Sequence, residues 1–168
     1  MITIIHTNNL TETTIAYLTN YVKQFRKNEL IRNEVENILK FVPEKNWIAE
    51  IEAIFEYVKS YVRYTRDIYK VETVKTPLRH IIDIKNNGLS FGDCDDIALL
   101  LATLLNSAGY KCRFVLLQSP NNKANTFNHI LVSVLLPKEN KWVYLDATEK
   151  DKPIGYIPPY IRLKEYLI

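Results

Sequence analysis

Residues 93–109, DCDDIALLLATLLNSAG, constrain the fold more than any other stretch of this sequence. Ile97, Ala98, Leu99, Leu100, Leu101, Ala102, Leu104 and Leu105 are apolar on nearly every side of a helix. A surface helix needs only one apolar stripe, so this one has to be central and buried on most sides. Asp93 is a suitable N-cap, and Gly109 is the glycine that closes the helix over 94–107. The remaining chain must surround it, and 168 residues are enough to build such a core as one domain, 1–168.

What surrounds the helix differs on its two sides in sequence. Ile15, Leu18, Val22 and Phe25 fall on one helical face, as do Ile31, Val35, Ile38 and Val42, with Pro43 ending that run. Ile48, Ile51, Phe55, Val58 and Val62 repeat the spacing, which predicts three amphipathic helices within a helical segment 1–65. Their polar faces mix both charges, so core packing is favoured over a membrane-surface role. Residues 66–92 hold Pro77 and an NNG turn without a sustained period, and read as a long connection with one helix near 77–85. Connections of this length often form part of a site. After the central helix the period changes to that of strands, in KCRFVLL (111–117), HILVSVLL (129–136) and KWVYLD (141–146). Helices first and an antiparallel sheet afterwards make the fold class α+β, with a core at about 60–150 and a C-terminal tail at 151–168 that packs or walls a cleft.

Composition excludes several functions. A hydrophobic fraction of 47% argues against a disordered chain, and a net charge of +3 without a basic block argues against nucleic-acid binding. No stretch reaches the roughly 18 apolar residues of a membrane span, and the opening MITIIHTNNL does not read as a signal peptide. Two cysteines make no disulfide framework, so a reduced, cytoplasmic setting is expected.

Cys94 lies in the first turn of the central helix, where unpaired N–H groups favour a thiolate and can hold an oxyanion. Asp96, at the third helical position, can reach back to the cap amide, so Asp93 and Asp96 read as structural groups at the helix start. The three aspartates oppose a thiolate, which then requires a cationic partner, normally a histidine. Taken alone, the stretch equally fits a buried structural cysteine beside an acidic cap. Cys112 alternates with Phe114 and Leu116 and reads as a small core residue.

The hairpin supplies the partner. With PKEN (137–140) as the turn, Leu136 pairs with Lys141 and Leu131 lies opposite Asp146. His129 shares a face with Leu131, so His129 and Asp146 become diagonal neighbours roughly 7–8 Å apart between backbones. A slip of one residue would place Asp146 on the other face.

The segments GDCDDIALLLATLLNSAGYKCRFV and HILVSVLLPKENKWVYLDAT resemble the core of the transglutaminase-like cysteine enzymes. The resemblance covers about residues 60–150 and rests on Gly92 and Cys94, Asp96, Gly109 with Arg113, His129, and Asp146-Ala147-Thr148. It is nearest to small members found in bacterial genomes and bacteriophages. It implies a papain-like fold and a Cys94-His129-Asp146 triad acting on peptide or protein amides. A small single domain has no evident second site for an amine donor, which favours hydrolysis over cross-linking, and Cys and His lack the spacing of metal ligands, so no metal or cofactor is expected. The alternative is a non-enzymatic peptide-binding or phage structural module that keeps the fold. Two departures stand out: Ala147 replaces the usual proline, and no tryptophan lies between Trp47 and Trp142 to stabilise an oxyanion. Tyr64 is the candidate replacement donor, against the plainer reading of a helix-end aromatic in the core. Arg113 reads as structural support, pairing with acids near the helix start.

Overall fold

The computed structural model describes residues 2–5, 12–66 and 72–168. A short strand β1 (Ile2–Ile5) precedes α1 (Glu12–Phe25), α2 (Glu29–Leu39) and α3 (Trp47–Tyr61). Ile15, Leu18 and Val22, then Ile31 and Val35, then Ile51, Phe55 and Val58 are buried, so the i, i+3/i+4 rows face the core as the spacing predicts. Ile48 departs from that row. It sits in the first turn of α3, where the helix runs past the core, and is 43% exposed. Asn28 and Asn46 cap α2 and α3 by accepting the amides of Leu30 and Ala49.

The chain from Val62 onward corrects the reading of a helical 1–65 followed by one long connection. Val62–Tyr64 leave the helix as β2, and after β3 (Glu72–Lys75) and α4 (Pro77–Asn87) the chain forms β4 (Ser90–Gly92). β2 pairs parallel with β4, and β1 pairs antiparallel with β3. Strands of three or four residues are too short to show alternation, so pairing rather than pattern defines them. Residues 67–71 of the supposed connection lie outside the described residues. The helix expected near 77–85 is present: Thr76 accepts the Arg79 amide, Pro77 opens it, and Gly88 closes it at φ 77°.

The central helix is α5 (Cys94–Ser107), with every residue from Asp95 to Leu105 buried. It is followed by β5 (Cys112–Gln118), β6 (His129–Leu136), β7 (Lys141–Leu145) and β8 (Arg162–Leu167). These four make an antiparallel sheet in the order β7-β6-β5-β8. α5 packs between the helices α1 to α4 on one side and the inner sheet face on the other. That face carries Cys112, Phe114, Leu116, Ile130, Val132 and Val134, all buried. Fully burying one such aliphatic side chain is worth about 1.5–3 kcal/mol, so this interface is the main reason the sheet and helices stay together. The segment 151–168 is more than a packing tail. Its Arg162–Leu167 is the edge strand β8, and Ile157 and Leu163 cover Val115, Leu117 and Leu131 on the outer face. No helix of the described residues is long and apolar enough to cross a membrane.

Candidate active site

Cys94 is the first residue of α5 and is half-buried. What places it there is local. Asp93 is the N-cap, its Oδ1 accepting the Asp96 amide at 3.3 Å. Asp96 has a role beyond the helix itself: its Oδ1 accepts the Lys75 amide at 2.7 Å and so ties β3 to the helix start. Gly92, paired with Tyr64 across β2 and β4, has no room for a side chain, since a Cβ there would come within 2.6 Å of Asp96 Cβ. The carboxylate oxygens of Asp93, Asp95 and Asp96 lie within 4.8 Å of one another, and each side chain accepts a backbone amide, from Asp96 or Lys75. Helix capping therefore accounts for Asp93, and strand anchoring for Asp96.

The hairpin has the predicted register, Leu136 opposite Lys141 and Val132 opposite Leu145, which carries Leu131 to Asp146. His129 opens β6, and its Nε2 lies 2.7 Å from Asp146 Oδ2. The second carboxylate oxygen is also taken: Asp146 Oδ1 accepts the Thr148 hydroxyl at 2.6 Å and the Thr148 amide at 3.1 Å. Asp146 is 1% exposed. Burial by itself would raise its carboxyl, but the His129 bond and charge, with the two bonds from Thr148, outweigh that and hold it below the usual carboxylate range. A charged, immobile carboxylate thus fixes one ring nitrogen and leaves Nδ1 of His129 as the other. Thr148 was legible in the sequence only as part of a motif. Its bond to a carboxylate two residues earlier is the Asx-turn geometry that an Asp-x-Thr at a strand end permits.

Cys94, Ile130, Asp146, Ala147 and Thr148 border one small gap between α5 and the β6–β7 end, too narrow for a water molecule. Cys94 and Asp146 therefore border the same gap, and His129 is bonded to Asp146, so the three meet at one corner of the molecule. Ala147 is buried there without displacing Asp146 from the end of β7. Tyr64 lies across from Gly92 and is 46% exposed, which overturns the reading of it as a core aromatic. Its phenol is pushed up by burial first and then by the negative charges of Cys94 and Asp93, which favours the O–H form beside the thiol. Cys112 is buried on the inner sheet face, with its thiol pushed well up by burial.

Arg113 is elsewhere. Strand alternation places it on the outer face, opposite to Cys112 and Phe114, where it pairs with Glu165 at 2.9 Å and stacks on Trp142 at 3.7 Å. It does not serve the acids at the helix start.

The sequence pattern of the transglutaminase-like superfamily matches residues 36–147, two thirds of the chain. The chain belongs to that superfamily. No curated protein sequence matches it. Among solved structures it is similar to a protein of Parabacteroides distasonis described provisionally as a protease (14% identity, TM-score 0.52, 79% of this chain and 25% of that one). It is similar also to a protein of Cytophaga hutchinsonii described provisionally as a cysteine protease (13% identity, TM-score 0.55, 99% and 62%). A third is LapG of Legionella pneumophila (17% identity, TM-score 0.54, 92% and 85%). The chain spans about a quarter of the first and about three fifths of the second. At these identities the likeness is one of fold: the α+β, papain-like core of the transglutaminase-like superfamily. Membership supports a cysteine-peptidase-like function.

Proposed function

We propose that this transglutaminase-like protein is a cysteine acyl-transfer enzyme that hydrolyses an amide bond of a peptide or protein. The observation that carries the reading is the His129 Nε2–Asp146 Oδ2 bond, with Asp146 clamped by Thr148, at the corner that also holds Cys94. A purely structural histidine at a strand start has no need of a buried carboxylate fixed by three hydrogen bonds. Each role follows from position. His129 Nδ1 takes the thiol proton of Cys94, while Asp146 fixes the tautomer and steadies the imidazolium that results. The thiolate attacks the carbonyl carbon, and the oxyanion is held by the Cys94 amide at the helix start together with the Tyr64 hydroxyl. His129 returns the proton to the leaving amine, leaving an acyl-Cys94 thioester. A water molecule, deprotonated by His129, then releases the acid and restores the thiol.

The test is intact mass spectrometry of the protein mixed with peptide and isopeptide libraries and with amide-directed electrophiles. An acyl adduct at Cys94 that is absent in Cys94→Ala and His129→Ala supports the reading. Products carrying water rather than an added amine separate hydrolysis from cross-linking. Lack of any adduct, with substrate peptides still bound, leaves a peptide-binding module instead.

A further inference from the structure

A cleft of about 420 Å³ opens where the C-terminal end of α1, the first turn of α2 and the C-terminal end of α5 meet. Its size is that of a small-ligand site. It is lined by Arg26, Lys27, Arg32, Asn106 and Ser107, three cations and two small polar side chains without a carboxylate. Among the described residues, no ion pair involves any of the three cations. Arg26 is nonetheless held in place, since its Nη1 donates to Asn106 Oδ1 at 3.0 Å and Asn106 Nδ2 donates to Tyr110 O at 3.3 Å. Arg26 Nε and Ser107 Oγ are shielded from solvent and make no hydrogen bond. Arg26 and Lys27 follow the negative end of α1, and an anion entering the opening would be attracted to all three cations.

The plainer account is that these side chains offset the negative end of α5, whose own last turn has no basic residue. The carbonyls at that end make no hydrogen bond to these cations. Leu104 O, Leu105 O and Asn106 O already accept the amides of Ala108, Tyr110 and Gly109, and Arg26 bonds to the Asn106 side chain instead. The opening turn of α2, capped by Asn28, adds its positive end beside Arg32, and the acidic Glu29 of that turn does not line the cleft.

We propose that this cleft binds a multiply charged oxyanion of the phosphate class, as the free anion or as the phosphate of a small molecule. Arg26 and Arg32 present planar donor forks suited to such oxygens, and Lys27 adds a point charge at the rim. The site lies at the far end of α5 from Cys94, about 20 Å for 14 residues of helix, and does not depend on the thiol chemistry.

The experiment is calorimetric titration and thermal unfolding of the whole chain with orthophosphate, pyrophosphate and ADP, each against sodium chloride of equal ionic strength. Pyrophosphate should bind saturably with a Kd tighter than about 1 mM and raise the unfolding temperature beyond the salt control. Lys27→Gln with Arg32→Gln should weaken binding by about tenfold or more, while the unfolding temperature without ligand stays unchanged or rises slightly, because both side chains are exposed. Orthophosphate bound as tightly as ADP assigns the site to the free anion, and tighter ADP assigns it to a phosphorylated small molecule. Stabilisation matched by sodium chloride, absence of binding, or equal binding by the double variant overturns the proposal.

Discussion

Acid should loosen this protein through His80, a residue remote from the thiol in sequence but joined to its approach. His80 is fully buried on α4, and its Nδ1 lies 2.8 Å from Ser90 Oγ, the residue that opens β4 and leads through Gly92 to Cys94. Burial first, and then the nearby charge of Lys75, push its pKa down from 6.5 to about 3. The folded protein therefore holds a neutral imidazole where the unfolded chain binds a proton. Between pH 6.5 and about 3 the unfolded chain carries more protons, so stability is complete above 6.5 and falls as the pH falls through that window. The whole gap corresponds to about 5 kcal/mol, and a drop from pH 7 to pH 4.5 should remove about 2–3 kcal/mol of it. Urea unfolding at stepped pH, on the native chain and on His80→Asn, isolates the effect, because carboxylates such as Asp146 contribute equally to both and cancel. His80→Asn should be less stable at pH 7 yet lose less on acidification. Equal pH slopes in the two proteins, or a His80 ring that titrates near 6.5 by NMR in the folded state, would refute the reasoning.

Three further outcomes concern the thiol corner. Asp146→Asn should keep the fold, since an amide oxygen still accepts from Thr148, while lowering turnover by about 10³–10⁴-fold; a smaller loss in single-turnover assays would remove Asp146 from the chemistry. Asp93→Ala should cost about 0.5–2 kcal/mol as a lost helix cap, and an unchanged unfolding temperature with abolished activity would instead assign Asp93 to the reaction. Iodoacetamide at pH 6 should label Cys94 faster than a free thiol and well before Cys112, which is buried and whose thiol is pushed well up, and His129→Ala should remove most of the rate advantage of Cys94 over a free thiol; equal labelling of the two cysteines, or no effect of His129→Ala, would make Cys94 a structural residue.

The parts of the fold that announced themselves are those where one physical demand dominates. An all-apolar helix has a single place to go, so α5 was legible residue for residue. The β6–β7 hairpin was legible because a four-residue turn fixes which side chains oppose, and from that the His129–Asp146 bond followed. β2 stayed hidden because Val62 continues the apolar row of α3, and only pairing with β4 turns it into a strand. β8 stayed hidden because RLKEYL intersperses three charges, as an edge strand half-open to solvent tolerates. Arg113 was misplaced for a different reason: resemblance suggested a partner at the helix start, although the alternation that buried Cys112 and Phe114 already turned Arg113 outward. His80 gave no signal, since a lone histidine on an apolar helix face is read from its neighbours in space.

The position of α5 between the helices and the sheet also bears on hydrogen exchange. The amides of Leu99 to Leu104 lie under side chains contributed by nearly every other element, so no local opening can reach them. They should exchange with deuterium only when the whole chain unfolds, and so report its global stability. Tyr64, on a three-residue strand that among the described residues pairs only with β4, should exchange through far smaller openings. The proposed active site is then assembled from the slowest-exchanging segment of the protein on one side and one of its faster-exchanging ones on the other, a fixed thiol facing a wall able to yield.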